Sequence, residues 1–149
     1  MQLIDRKELT MPTKADFTED EWKTLQKGVT GAGTLVSISD RDFTDAFGEA
    51  SALAKTLAAQ REQGASDLVK ELASVRGTGF GLMASPQEVE SETLAAVQSA
   101  LETLATKAPD EAENYRQLVL TVATAVADAK GGLSDDETAA LGRLRKALA

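Results

Sequence analysis

The chain has 149 residues, 42% hydrophobic and 27% charged, which suits one domain with a real core rather than a disordered segment. It has no cysteine and no histidine, which removes disulfides, thiolate or imidazole zinc sites, histidine-ligated haem and Cys- or His-based nucleophilic catalysis. A net charge of -8 and a pI near 4.6 set the surface against phosphate backbones and anionic membranes, so nucleic acid is not an expected partner.

Aromatics make up 4% and prolines number three, so the core is aliphatic and helix formers dominate. Residues 1–16 show no sustained periodicity and read as a flexible lead-in, with the domain spanning 17–149. Met11-Pro12-Thr13 is an alternative start that would make residues 1–10 an upstream extension. No apolar signal core and no run of about 18 apolar residues is present, so the expected location is cytoplasmic.

Thr18-Glu19-Asp20-Glu21 is a capping box, with Phe17 and Trp22 at the staple positions. The first helix carries Trp22, Leu25, Val29, Ala32 and Val36 at helical spacing. Gly28, Gly31 and Gly33 each weaken it by roughly 1 kcal/mol relative to Ala. Either a neighbouring helix approaches closely there, or the helix breaks near Gly31. Val36–Ser39 reads as a helix end, not a strand.

After an elbow at Ser39–Asp42, a second helix runs to about Gln63, with Phe43, Phe47, Ala50, Leu53, Ala54 and Leu57 as its apolar stripe. Gly64 stops it. Ser66 opens a third helix with Leu68, Leu72 and Val75 inward. Arg76–Met83 breaks the pattern; its Gly77-Thr78-Gly79-Phe80-Gly81 lacks the Lys-Ser/Thr of a phosphate loop and reads as a connector.

Ser85-Pro86-Gln87-Glu88 is a second box, with proline at the first helical position. The fourth helix carries Val89, Leu94, Val97, Leu101 and Leu104 and ends near Lys107. Pro109 and Asp110 start the fifth, with Tyr115, Leu118, Val119, Val122 and Val126 inward. Ser134-Asp135-Asp136-Glu137 is a third box, and Leu141, Leu144 and Leu148 seal the last helix. Arg143, Arg145 and Lys146 offset its negative dipole end. The expected fold is all-α, a single-domain bundle of six to eight helices.

Two blocks resemble each other. Ala125–Leu148 and Leu35–Leu57, offset by ninety positions, align Phe43 with Leu133, Thr44 with Ser134 and Asp45 with Asp135. Each is a helix-turn-helix unit with carboxylates at its elbow.

The stretch Ala127-Asp128-Ala129-Lys130-Gly131-Gly132-Leu133-Ser134-Asp135-Asp136-Glu137 resembles the TerB-like superfamily of all-helical bacterial proteins, named for a tellurite-resistance protein. The FTEDEW opening at Phe17–Trp22 is similar to an uncharacterised branch of it. Lys130 stands where the family places the Asp of Ala-Asp-Gly, and Arg41 follows Asp40 in place of glycine. The resemblance implies a TerB-like bundle, and a role in stress or envelope-associated assembly rather than a defined reaction. Some members are thought to hold a divalent cation at acidic elbows.

The candidate ligands are Asp40, Asp42, Asp45 and Glu49 at one elbow and Asp128, Asp135, Asp136 and Glu137 at the other. With no imidazole or thiolate, any ion would be a hard one on oxygen, such as Ca2+ or Mg2+. The other reading is structural, with acids in a first helical turn complementing the macrodipole and Ser134 and Glu137 forming a cap. Neither elbow is an EF-hand. From Asp128, Leu133 takes the glycine position and Ala139 the glutamate; from Asp40, these fall on Asp45 and Ser51.

No nucleophile, electrophile or cofactor motif completes an acid–base pair. The expected function is therefore non-enzymatic: protein–protein interaction in a bacterial stress or tellurite-resistance-type response. The alternative is a divalent-cation-binding or metal-responsive protein. Small residues in the first helix, and the alanines of the fourth and fifth, leave a homo-oligomer open.

Overall fold

The first helix begins at its capping box. The Glu21 N–H donates to Thr18 Oγ1 at 3.1 Å, and the Thr18 N–H donates to Glu21 Oε1 at 2.8 Å. Two helix-end donors are thereby satisfied. Phe17 and Trp22 close the staple with ring centroids 6.0 Å apart. The computed structural model describes residues 13–39, 46–74, 85–129 and 135–149, with backbone alone at 38, 39 and 46–50.

Among the described residues there are six α-helices and no strand: α1 (Glu19–Ser39), α2 (Ala46–Gln63), α3 (Asp67–Leu72), α4 (Pro86–Lys107), α5 (Ala112–Asp128) and α6 (Asp135–Leu148). Short 3-10 turns stand at Lys14–Asp16 and Pro109–Glu111. The first lies inside the expected lead-in. It is tied to α3 by the Lys14 N–H, which donates to Glu71 Oε2 at 3.3 Å.

Helix α1 runs unbroken through its three glycines, so close approach is the correct reading and a break is not. A Cβ at Gly28 would lie 2.1 Å from Tyr115 Oη, and one at Gly31 2.3 Å from Thr93 Oγ1. At Gly33 it would lie 3.0 Å from Leu53 Cδ1 and 3.2 Å from Val122 Cγ1. The glycines therefore admit α5, α4 and α2 against one helix. That small-residue face is buried within the bundle and is not free for self-association.

Helix α1 lies against both α4 and α5. Helix α2 packs chiefly on α5, and α6 lies against α1, α4 and α5. Between them sits one aliphatic core, including Leu25, Val29, Val36, Val97, Leu104, Leu118, Val122, Val126, Leu141 and Leu144. Each such side chain contributes about 1.5–3 kcal/mol through burial. Leu35, Val89 and Ala140 form a second cluster joining α1, α4 and α6.

The caps explain the helix starts. Ser66 accepts from the Val69 N–H at the head of α3, and Ser85 from the Glu88 N–H at the head of α4, with Pro86 inside the first turn. At the end of α2 the Gly64 N–H bonds the Gln60 carbonyl at 2.9 Å. A Cβ there would stand 2.6 Å from that same oxygen, so glycine is required by crowding.

One expected stripe is narrower than its spacing suggests. On α2 Leu57 is buried, Leu53 half-buried and Ala54 exposed. Ala54 falls on the side of α2 turned away from its packing neighbours. Phe43 and Val75, the Gly77–Gly81 connector, Ser134 and both elbow turns fall outside the described residues, as do the side chains of Phe47 and Ala50.

Candidate functional site

The acidic elbows come first. Asp40, Asp42 and Asp45 lie outside the described residues, and so does the side chain of Glu49. Of the other four candidates, Asp128 is exposed at the end of α5, and Asp135 and Asp136 are exposed in the first turn of α6. Their charge there complements the positive helix end. Glu137, in the same turn, is fully buried. The four do not converge, and no group of three carboxylates among the described residues could hold a metal ion.

A buried polar cluster lies elsewhere. Ser66 Oγ donates to Glu111 Oε1 at 2.5 Å while accepting the Val69 N–H at 3.2 Å. Asn114 Nδ2 donates to the same Glu111 oxygen at 3.3 Å. Glu111 is fully buried, and among the described residues its Oε2 has no hydrogen-bond partner. One hydroxyl thus caps α3 and binds it to the entrance of α5. Nothing in the sequence flags this pair, because the two residues stand 45 positions apart and Glu111 reads as an ordinary acid at a helix start.

Tyr115 is also fully buried, and its hydroxyl donates to the Leu25 carbonyl at 2.8 Å. Burial pushes its phenol well above the ordinary tyrosine range. It therefore keeps its proton and remains a donor.

Ion pairs stitch the helices from outside. Lys107 Nζ lies 2.6 Å from Glu21 Oε1 and 3.5 Å from the Asp16 carbonyl, above the Phe17 ring. Lys27 pairs with Glu92 and Arg143 with Glu90, each at 2.5 Å. Arg143 thus ties α6 to α4 rather than merely offsetting a dipole. The ammonium of Lys107 beside Glu21, helped by the Thr18 N–H, holds the Glu21 carboxyl below the ordinary glutamate value.

A surface hollow of about 600 Å³ lies at the N-terminal end, lined by Thr13, Lys14, Ala15, Phe17, Thr18, Glu19, Trp22 and Glu71. Beneath it lie the largely buried rings of Phe17 and Trp22, 8% and 4% exposed, and its rim is charged. Lys14 Nζ sits 6.0 Å from the Trp22 ring centroid. A shallower hollow of about 390 Å³ runs along α5 past Gln117, Leu120, Thr124 and Asp128. The sequence marks Trp22 as a staple. It does not bring Lys14 and Glu71 together, because 57 residues separate them. No helix among the described residues is long and apolar enough to cross a membrane. No family model, curated protein or solved structure matches this chain.

Proposed function

We propose that the chain is a non-enzymatic, TerB-like helical protein that works by binding another protein in a bacterial stress or tellurite-resistance-type response. The observation that carries this reading is how the polar groups are used. Ser66, Glu111, Tyr115, Lys107 and Arg143 each join one element of the bundle to another. They do not converge on a common cleft where a reacting atom would sit. The larger hollow is open, with an aromatic floor, which suits a docked side chain better than a sequestered reaction. Its TerB-like character is supported by the cross-packing of α2 on α5 and α6 on α1, as two related helix-turn-helix units would pack.

In-cell photo-crosslinking tests this. A photoreactive residue replaces Ala15 at the hollow or Thr124 on α5, with and without tellurite stress. The expected result is one defined partner crosslinked from one of these faces and rebound by the purified protein. Absence of any specific adduct from either face, in either condition, overturns the reading.

A further inference from the structure

The hollow at the N-terminal end carries more information than its shape. We propose that it is the docking point for a Lys- or Arg-bearing peptide segment of a partner protein. The inference rests on the interaction reading above and adds a place and a partner chemistry.

The floor comes first. Phe17 and Trp22 form a tilted aromatic pair, and an aromatic face attracts a cation through its quadrupole. The chain already fills that position with its own lysine. Lys14 Nζ lies 6.0 Å from the indole centroid, and among the described residues it has no carboxylate at ion-pair distance. Lys14 thus shows how a cationic side chain seats there.

The rim supplies the counter-charge. Glu71 accepts the Lys14 backbone N–H and meets no cationic side chain among the described residues. Among the described residues Glu19 pairs with Lys23 alone, one turn along α1, at 3.4 Å and largely in solvent. Both carboxylates are open to an incoming cation. A chain of net charge -8 also steers basic segments inward and repels acidic ones. A volume of about 600 Å³ accommodates one or two long side chains with their flanking backbone.

Trp22 is the chain's single tryptophan and packs in the core beneath the hollow, so its emission and its one indole N–H resonance report on the hollow and on the packing directly under it. The probe is a terminally blocked Gly-Arg-Gly-Lys-Gly peptide, with Gly-Glu-Gly-Glu-Gly as control. The basic peptide is expected to shift both signals saturably and the acidic one to leave them in place. Glu71→Gln should weaken binding about two- to fivefold, the range of an exposed ion pair. Lys14→Ala, which clears the indole face, should strengthen it. An indole resonance that ignores the basic peptide, or follows both peptides alike, overturns the proposal. If amides elsewhere move while the indole does not, the hollow is excluded and the interaction reading stands.

Discussion

The hydroxyl of Tyr115 occupies the space that a side chain at Gly28 would need, 2.1 Å from the ideal Cβ position. The same hydroxyl donates to the Leu25 carbonyl, one turn back on α1. A glycine inside a helix therefore has a specific cause here. It clears the path for a tyrosine arriving from α5.

Gly28→Ala should destabilise the fold by about 1–3 kcal/mol, because the clash and the displaced hydrogen bond outweigh a helix-propensity gain of about 1 kcal/mol. Gly142→Ala is the opposite case. A Cβ there meets nothing within 4 Å, so only the propensity gain of about 0.5–1 kcal/mol applies. Urea melts of the two variants should move in opposite directions. Adding Tyr115→Phe should recover part of the Gly28→Ala loss; strictly additive effects would show that the hydroxyl is not the obstacle.

Ser66 and Ser85 cap their helices in the same way, yet only Ser66 also serves Glu111. Ser85→Ala should cost about 1 kcal/mol, the ordinary value of a cap. Ser66→Ala should cost about 2–4 kcal/mol, because it also strips a buried carboxylate of a donor. Equal losses in chemical denaturation would mean that the Ser66–Glu111 bond adds nothing.

Thr93 is fully buried against Gly31, and among the described residues its hydroxyl has no hydrogen-bond partner. Valine keeps the shape and removes the unpaired polar atom. Thr93→Val should therefore stabilise the protein by about 1 kcal/mol, read as a higher urea midpoint with an unchanged slope. A lower midpoint would reveal that the hydroxyl has a partner after all.

The Glu21 carboxyl titrates below its ordinary value of 4.5 because Lys107 and the Thr18 N–H favour the charged form. Its contribution to stability is fully present above that ordinary value. It is lost as pH falls through the lower folded-state value. Glu21→Gln should therefore lower the melting temperature at neutral pH and narrow its gap to the parent as the solution is acidified. Because the pair is partly exposed, added salt should shrink the difference at neutral pH. A gap independent of pH would show that the charge of Glu21 adds nothing to stability.

Much of the fold is legible in the residues themselves, since it rests on local chemistry. Thr18, Ser66 and Ser85 announce helix starts, Gly64 announces a stop, and the three- and four-residue spacing of Leu118, Val122 and Val126 declares a buried face. The candidate site is far less legible. Lys14, Trp22 and Glu71 meet only because α3 folds back beside the start of α1. Ser66 and Glu111 meet only because the heads of α3 and α5 adjoin. Of the acidic elbow residues, Asp135, Asp136 and Glu137 look alike in sequence, yet the first two face water and the third is wholly enclosed. That difference follows from which side of α6 is turned toward the rest of the bundle.

The sequence by itself determined an acidic, all-helical chain without histidine or cysteine, its helix starts, and most of its core positions. Each of those depends on neighbours within about four residues, where capping bonds and helical periodicity act. Only the tertiary structure decided why α1 keeps its glycines, which carboxylates are buried, and where an aromatic floor acquires a charged rim. Those outcomes depend on contacts between residues dozens of positions apart, formed when helices pack.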